Sequence, residues 1–277
     1  MKLVAFGSTI RKGVKACGDA QIRALVESRA PTVCIVAKYH KWQVTDITRA
    51  SPQENLDMIQ DSLSYLTSLG LRVFIDLEYF FYRYKQNKWY ALKCCRLVSE
   101  LGAKALVLCD TNGDGISWKL HEITEGVCTL YPMVTLGVHC YNNSDMAVAN
   151  SVMAVKAGAG MVQGTMNGIW GHMGNVDLCS IVPSLALHVH TSMVCKPNIS
   201  GITALSRFVG KTLNCSPDSL TPYVGSSAFT HKGGFHLATM KHSPMSYQHI
   251  DPSSVRNKKR VLISELSCRH DILGKIR

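Results

Sequence analysis

The sequence predicts an α/β fold: six strands alternating with helices in a barrel-like pattern, followed by a mainly helical, irregular C-terminal region. Three observations predict it. Short apolar runs alternate with amphipathic helical segments as far as about Leu187, and such alternation implies a parallel sheet with crossover helices. Chemically capable residues recur at strand ends: Ser8 and Thr9; Glu78; Asp110, Thr111 and Asn112; His139; Asn167. An open doubly wound sheet concentrates its site at one switch point, whereas chemistry at the end of strand after strand is the barrel pattern. Finally, the alternation stops near Leu187. Residues 1–187 therefore read as the strand–helix unit and 188–277 as the helical region, although six strands are too few for the usual (β/α)8 barrel.

Each element has a local reason. Leu3–Ser8 (LVAFGS) and Thr32–Lys38 (TVCIVAK) are short, β-branched apolar runs that read as strands. Ser51–Gly70 is a helix. Ser51 and Glu54 make a capping box, Leu56, Ile59, Leu63 and Leu66 form its apolar stripe, and Gly70 is placed to end it. Arg72–Phe80 reads as a strand, and a helix is expected around Tyr90–Leu101. Ala105–Asp110 is a strand and Lys119–Leu130 a helix. Val134–Tyr141 is a strand, and Asp145–Ala157 a helix rich in small residues. Met161–Asn167 closes the series of six strands, with a helix after Asn175. Beyond residue 197 the stretch ISGITALSRFVGKTL reads as a helix within an irregular region.

Bulk properties narrow the function. The 277 residues contain no apolar run near the ~18 residues that a membrane helix needs. The N-terminal stretch is too short for a signal-peptide core, so a cytoplasmic protein with no membrane partner is expected. The 11 cysteines are scattered, odd in number and lack any C-x-x-C. Buried reduced thiols are expected, not a disulfide framework or zinc knuckle. The formal charge of +11 is dispersed. Its one dense run, Arg256 to Arg260, has no interleaved aromatic platform, so no nucleic-acid partner is expected. An anionic coenzyme A ester would profit from the same field.

The most informative stretch is VTLGVHCYNN, residues 134–143. Residues two apart on a strand share a face, so His139 and Tyr141 point together toward the strand's C-terminal end. A His-x-His pair there would be a good metal half-site; this chain has His139-Cys140-Tyr141.

The strings KLVAFGST, LCDTNGDG, GVHCYNNSDMAVANS, QGTMNG, GSSAFTHKGGFH, HIDPSSV and RVLISELS resemble the citramalate synthase and 2-isopropylmalate synthase family, nearest its citramalate branch. The resemblance implies an incomplete (β/α)8 TIM barrel, its first two strands missing, as the catalytic domain (1–187), followed by a mainly helical C-terminal linker subdomain (188–277), and a Claisen-type condensation of acetyl-CoA with a 2-oxo acid, pyruvate favoured, in branched-chain amino-acid biosynthesis. It implies a divalent metal (Mg, Mn or Zn) that chelates the oxo acid. It also implies a homodimer, or a hetero-oligomer with a full-length paralogue. Carried over residue by residue, the metal ligands are His139 and Asn175. Glu78, His236 and Tyr247 are catalytic, and Thr111 contacts substrate.

Two departures from the family pattern stand out. The chain begins at what corresponds to the third strand, without the D-x-T-L-R-D-G-like string that bears an Asp ligand. The second histidine of His-x-His is Tyr141. Gly171 and His172 also stand where relatives carry a Glu-Arg pair. The resemblance therefore implies impaired activity, or a non-catalytic pseudoenzyme or gene fragment acting as a partner-binding subunit. An aggregation-prone chain is expected as well, because open sheet edges replace closure. Read without the family, each residue keeps a structural alternative. His139 is a hydrogen-bonded core histidine, Glu78 a partner for a lysine, Thr111 a turn hydroxyl, Asp110 an anchor for its own turn, and His236 a surface group.

Overall fold

A computed structural model describes residues 2–38, 42–171, 173–231, 239, 243 and 246–262. The chain divides into two compact units: Met1–Gly164 with Trp170–Val176, and Thr165–Ile169 with Asp177–Arg277.

The first unit is built on one parallel sheet. Its strands are β1 (Val4–Ser8), β2 (Thr32–Ala37), β3 (Arg72–Leu77), β4 (Ala105–Asp110), β5 (Thr135–Cys140) and β6 (Met161–Gln163). They lie side by side in chain order. All six expected strands are present. β2 and β4 are buried at every position, which is why TVCIVA and ALVLCD read as unbroken apolar runs.

The sheet curls. The side chains of Asp76 on β3 and Gln163 at the end of β6 meet in a 3.1 Å hydrogen bond. Two strands, β4 and β5, lie between them. Three strand spacings of ~4.8 Å would put their backbones ~14 Å apart in a flat sheet. The two side chains meet only if their face of the sheet is concave, as in a barrel interior.

The helices are α1 (Ala20–Glu27), α2 (Pro52–Ser68), α3 (Phe80–Gln86), α4 (Lys88–Glu100), α5 (Ser117–Leu130) and α6 (Ala147–Lys156). The capping box of α2 is present in both directions, and Leu56, Ile59, Leu63 and Leu66 are buried as the stripe required. α1 is capped by Asp19, which accepts from the backbone N–H groups of Gln21 and Ile22. It buries only Ile22 and Leu25, too short a stripe to stand out in the sequence.

Two expected strands end early. The strand read as Arg72–Phe80 stops at Leu77, because Tyr79 takes a left-handed φ of 56° and Phe80 opens α3. Phe80 and Phe81 are buried on that helix. A short apolar run does not by itself distinguish strand from helix. The strand read as Met161–Asn167 is three residues long, and Asn167 interrupts the chain at φ 64°.

The second unit holds α7 (Leu178–Pro183) and α8 (Ile202–Thr212), the latter inside the predicted stretch. Its core gathers Cys179, Ile202, Tyr223, Val224, Phe229, Ile250 and Val255. A parallel pair, β7 (Thr230–His231) with β8 (Arg260–Val261), was not expected in a helical region. Two-residue strands leave no periodic trace. Within Arg256 to Arg260, Asn257 is buried and donates to the carbonyls of Tyr223 and Gly225, while Lys258 and Lys259 face solvent.

Among the described strands, β1 bonds only to β2, and its Val4 and Phe6 are exposed. An exposed apolar edge is a template for pairing with another chain. Concentration-dependent self-association is expected, and Phe6→Lys should reduce it. Light scattering over a dilution series checks this; equal association of the two proteins would contradict it.

Candidate active site

The C-terminal ends of the strands bring polar groups together in an otherwise apolar sheet. His139 sits on β5, level with Cys109 on one side and Gln163 on the other. Its Nδ1 lies 2.8 Å from Gln163 Oε1 and its Nε2 lies 2.8 Å from Asn175 Oδ1. Gln163 Nε2 donates to Asp76 Oδ1, which also accepts from the Cys34 thiol at 3.1 Å. Cys34, Asp76, Gln163, His139 and Asn175 therefore form one continuous chain of hydrogen bonds. Burial raises the Asp76 carboxyl above its ordinary range, against the hydrogen bonds from Cys34 and Gln163. Burial likewise pushes the Cys34 thiol up, so it stays protonated and can donate.

Tyr141 follows at the strand end. Its ring packs on His139 at 5.3 Å between centroids, tilted by 30°. The loop before Asn175 is fastened to this end by backbone bonds, from Asn142 N–H to the Gly174 carbonyl and from Val176 N–H to the Cys140 carbonyl. Gly171 in that loop has φ +68°, and a Cβ there would lie 2.9 Å from Tyr141 Cε1. Glycine is thus required both by the backbone and by the ring.

Glu78 lies just beyond β3. Its Oε2 takes the Lys38 ammonium at 3.1 Å and the Gln43 amide at 2.7 Å. Thr111 Oγ1 accepts from the Tyr79 backbone N–H at 2.8 Å, anchoring the left-handed turn between β3 and α3. Asp110 closes its own turn, accepting from the Gly115 N–H at 3.2 Å; burial pushes its carboxyl up to about 6. His139, Asn175, Glu78 and Thr111 thus all belong to the first unit. Tyr247 belongs to the second and is exposed. His236 and His172 lie outside the described residues, as do the GGFH motif and most of RVLISELS.

The sequence reading missed Cys34, Asp76 and Gln163. The signal for Asp76 was an acidic residue inside the buried run VFIDL, which demands hydrogen-bonding partners. The signal for Gln163 was its place at a strand end beside His139.

The family resemblance implies a divalent metal, and the donors present can be tested against it. Nε2 of His139 and Oδ1 of Asn175 stand 2.8 Å apart, close to the ~3 Å between adjacent ligands around a metal with ~2.1 Å bonds. Neither brings a negative charge, however. Tyr141 offers no phenolate, because burial raises its hydroxyl pKa. Both ring nitrogens of His139 face amide oxygens. Asn175 Nδ2 donates to the Trp170 carbonyl, so its oxygen is the end turned to the ring. No cluster of three His, Cys, Asp or Glu among the described residues could hold a metal. The described residues do not by themselves fit a divalent ion.

Comparison with known proteins places this geometry. Residues 11–209 match the family described as HMGL-like. The chain is 40% identical over 276 residues to an (R)-citramalate synthase of Aquifex aeolicus, covering 100% of this chain and 52% of that protein. It is 40% identical over 274 residues to an (R)-citramalate synthase of Geobacter sulfurreducens, covering 99% and 52%. The chain belongs to the HMGL-like family.

This chain therefore spans about half the length of the citramalate synthases it matches. Among solved structures, the hydroxymethylglutaryl-CoA lyase of Pseudomonas aeruginosa superposes with a TM-score of 0.62 at 18% identity, over 78% of this chain and 71% of that one. That likeness concerns the fold, an HMGL-like TIM barrel. No helix among the described residues is long and apolar enough to cross a membrane.

Two measurements test the site as built. The unfolded chain releases the Asp110 proton near its reference pKa of ~3.9, and the folded chain releases it near 6. The contribution from the protonated carboxyl is thus complete below the unfolded pKa and is lost as pH rises through 6. Relative to Asp110→Asn, the native chain should lose about 2–3 kcal/mol between pH 4 and pH 7, read by denaturant unfolding at each pH. Separately, Gly171→Ala should cost about 1–3 kcal/mol through its left-handed φ and the Tyr141 ring. Denaturant unfolding of the variant checks this; no loss would show that the Tyr141 ring yields to the added methyl group.

Proposed function

We propose that this chain performs, or descends from a chain that performed, the condensation of acetyl-CoA with a 2-oxo acid, pyruvate favoured, in branched-chain amino-acid biosynthesis in the cytoplasm. The observation that carries the reading is the 40% identity to (R)-citramalate synthases along essentially the whole chain. The strand-end cluster around His139 supports it.

The chemistry needs three events. A base takes a proton from the acetyl methyl group, and the C–H electron pair becomes an enolate. The enolate carbon attacks the ketone carbon, whose oxygen then takes a proton. Water cleaves the thioester and releases coenzyme A. Glu78, held by Lys38 and Gln43, is suited to orient the acetyl end, and the Thr111 hydroxyl to contact the oxo acid. His236 and Tyr247 are the proposed proton-transfer groups of the second unit. His139 and Asn175 are the groups proposed to lie beside the ketone that must be polarised.

That last task is the weak one here. Metal-free polarisation falls to hydrogen-bond donors, and His139 already spends both ring nitrogens on Gln163 and Asn175. We therefore assign the isolated chain impaired turnover. A second reading, a non-catalytic subunit for a second copy or a full-length paralogue, draws on the exposed β1 edge.

The test is direct. Purified chain with Mg²⁺ or Mn²⁺, acetyl-CoA and pyruvate should release no coenzyme A above the enzyme-free rate, measured by chromatography. Sustained release would overturn the impairment and leave the condensation standing. Release restored only by an added full-length paralogue would favour the subunit reading.

A further inference from the structure

We infer that Gln163 is a positioning residue for this centre: it fixes the imidazole of His139 by bridging it to the carboxylate of Asp76. The inference deepens the reading of the strand ends as the reaction site, and rests on that reading for its functional meaning. Its geometric basis stands apart from any activity.

The argument begins with the side chain that has least freedom. Asp76 is 4% exposed, and its Oδ1 receives both the Cys34 thiol and the Gln163 amide. That oxygen lies 3.1 Å from Gln163 Nε2, so the NH₂ end of the amide faces Asp76 and donates to it. The amide is planar, and its oxygen is thereby turned to His139 Nδ1 at 2.8 Å. An acceptor opposite Nδ1 calls for a proton on that nitrogen. Asp76 thus sets, through one amide, how the imidazole is turned and that Nδ1 carries a proton, whatever the state of Nε2. Outer partners of this kind set the orientation of functional histidines.

The architecture shows why a glutamine serves. Asp76 and His139 stand on β3 and β5 with β4 between them, and no direct bond joins them. Gln163 ends β6, the neighbour of β5, and its long side chain crosses the concave face to Asp76. A shorter amide would not cover the gap, and a carboxylate in its place would face Asp76 as a like charge. β6 itself is only three residues long and bonds to β5 alone among the described strands. The crossing bond therefore also ties that edge to the sheet's middle.

The experiment reads the ring itself. Imidazole nitrogens of the ¹⁵N-histidine-labelled full chain are observed by NMR near neutral pH, with the His139 signals assigned by their loss in His139→Gln. The native chain is expected to show a protonated Nδ1 with a slowly exchanging proton. Gln163→Met, which keeps the length and removes the amide, should lose that slow proton while the other histidines are unmoved. Gln163→Glu, which still offers an oxygen to the ring, should retain the Nδ1 proton and lose thermal stability.

A native His139 with a bare Nδ1 would overturn the inference with no variant needed, so misfolding of Gln163→Met cannot shelter it. A folded Gln163→Met with native His139 signals would overturn it equally. The coenzyme A release assay speaks to the reaction alone, so failure of that reading and failure of this one are told apart.

Discussion

The 3.1 Å hydrogen bond between Gln163 and Asp76 is the contact on which this site depends. It is possible only because the parallel sheet curls, and the curl turns one face into an interior where side chains from non-adjacent strands meet. Cys34, Asp76, His139 and Gln163 come from four strands and would be strung out along a flat sheet. Once gathered, they satisfy one another, which matters because a buried polar group without a partner costs several times what a made bond contributes.

That closed network governs the chemistry available. A metal centre needs ligand atoms with free lone pairs and some negative charge nearby. His139 directs both nitrogens to amides, and the nearest carboxylate, Asp76, is held by Cys34 and Gln163. Tyr141 and Gly171 have adapted to each other: the ring fills the space where a side chain at 171 would stand. The two positions are thus packed against each other, Gly171 leaving room for the Tyr141 ring. Tyr141 thus belongs to a local repacking that spans β5 and the loop before Asn175.

Much of the first unit was legible because its local and tertiary demands agree. The capping box at Ser51 and Glu54, the stripe of α2 and the six apolar runs all arise from short-range rules that burial then rewards. The errors fell where those demands part. Phe80 continues an apolar run that looks like strand, yet its burial is satisfied on a helix after the left-handed turn at Tyr79. The pair β7 and β8 joins two-residue segments far apart in sequence, and nothing local announces it. At the site, His139 was visible as a residue type at a strand end, and Asn175 only through the family resemblance. Cys34 and Gln163 were not, because cysteine in an apolar run and glutamine at a strand end are ordinary until their neighbours are known.

The amino-acid order by itself determined the βα alternation, the family and the His139-Cys140-Tyr141 run at a strand end, because each is written in residue type and spacing along the chain. The tertiary structure alone decided which of those residues touch. Hydrogen-bond partnership depends on distances of about 3 Å between groups as far apart in sequence as Asp76 and Gln163, and only the curvature of the sheet sets those distances. It decided that Glu78 is held by Lys38 and Gln43 and that Thr111 secures a turn. It decided, too, that His139 is the middle of a hydrogen-bonded chain.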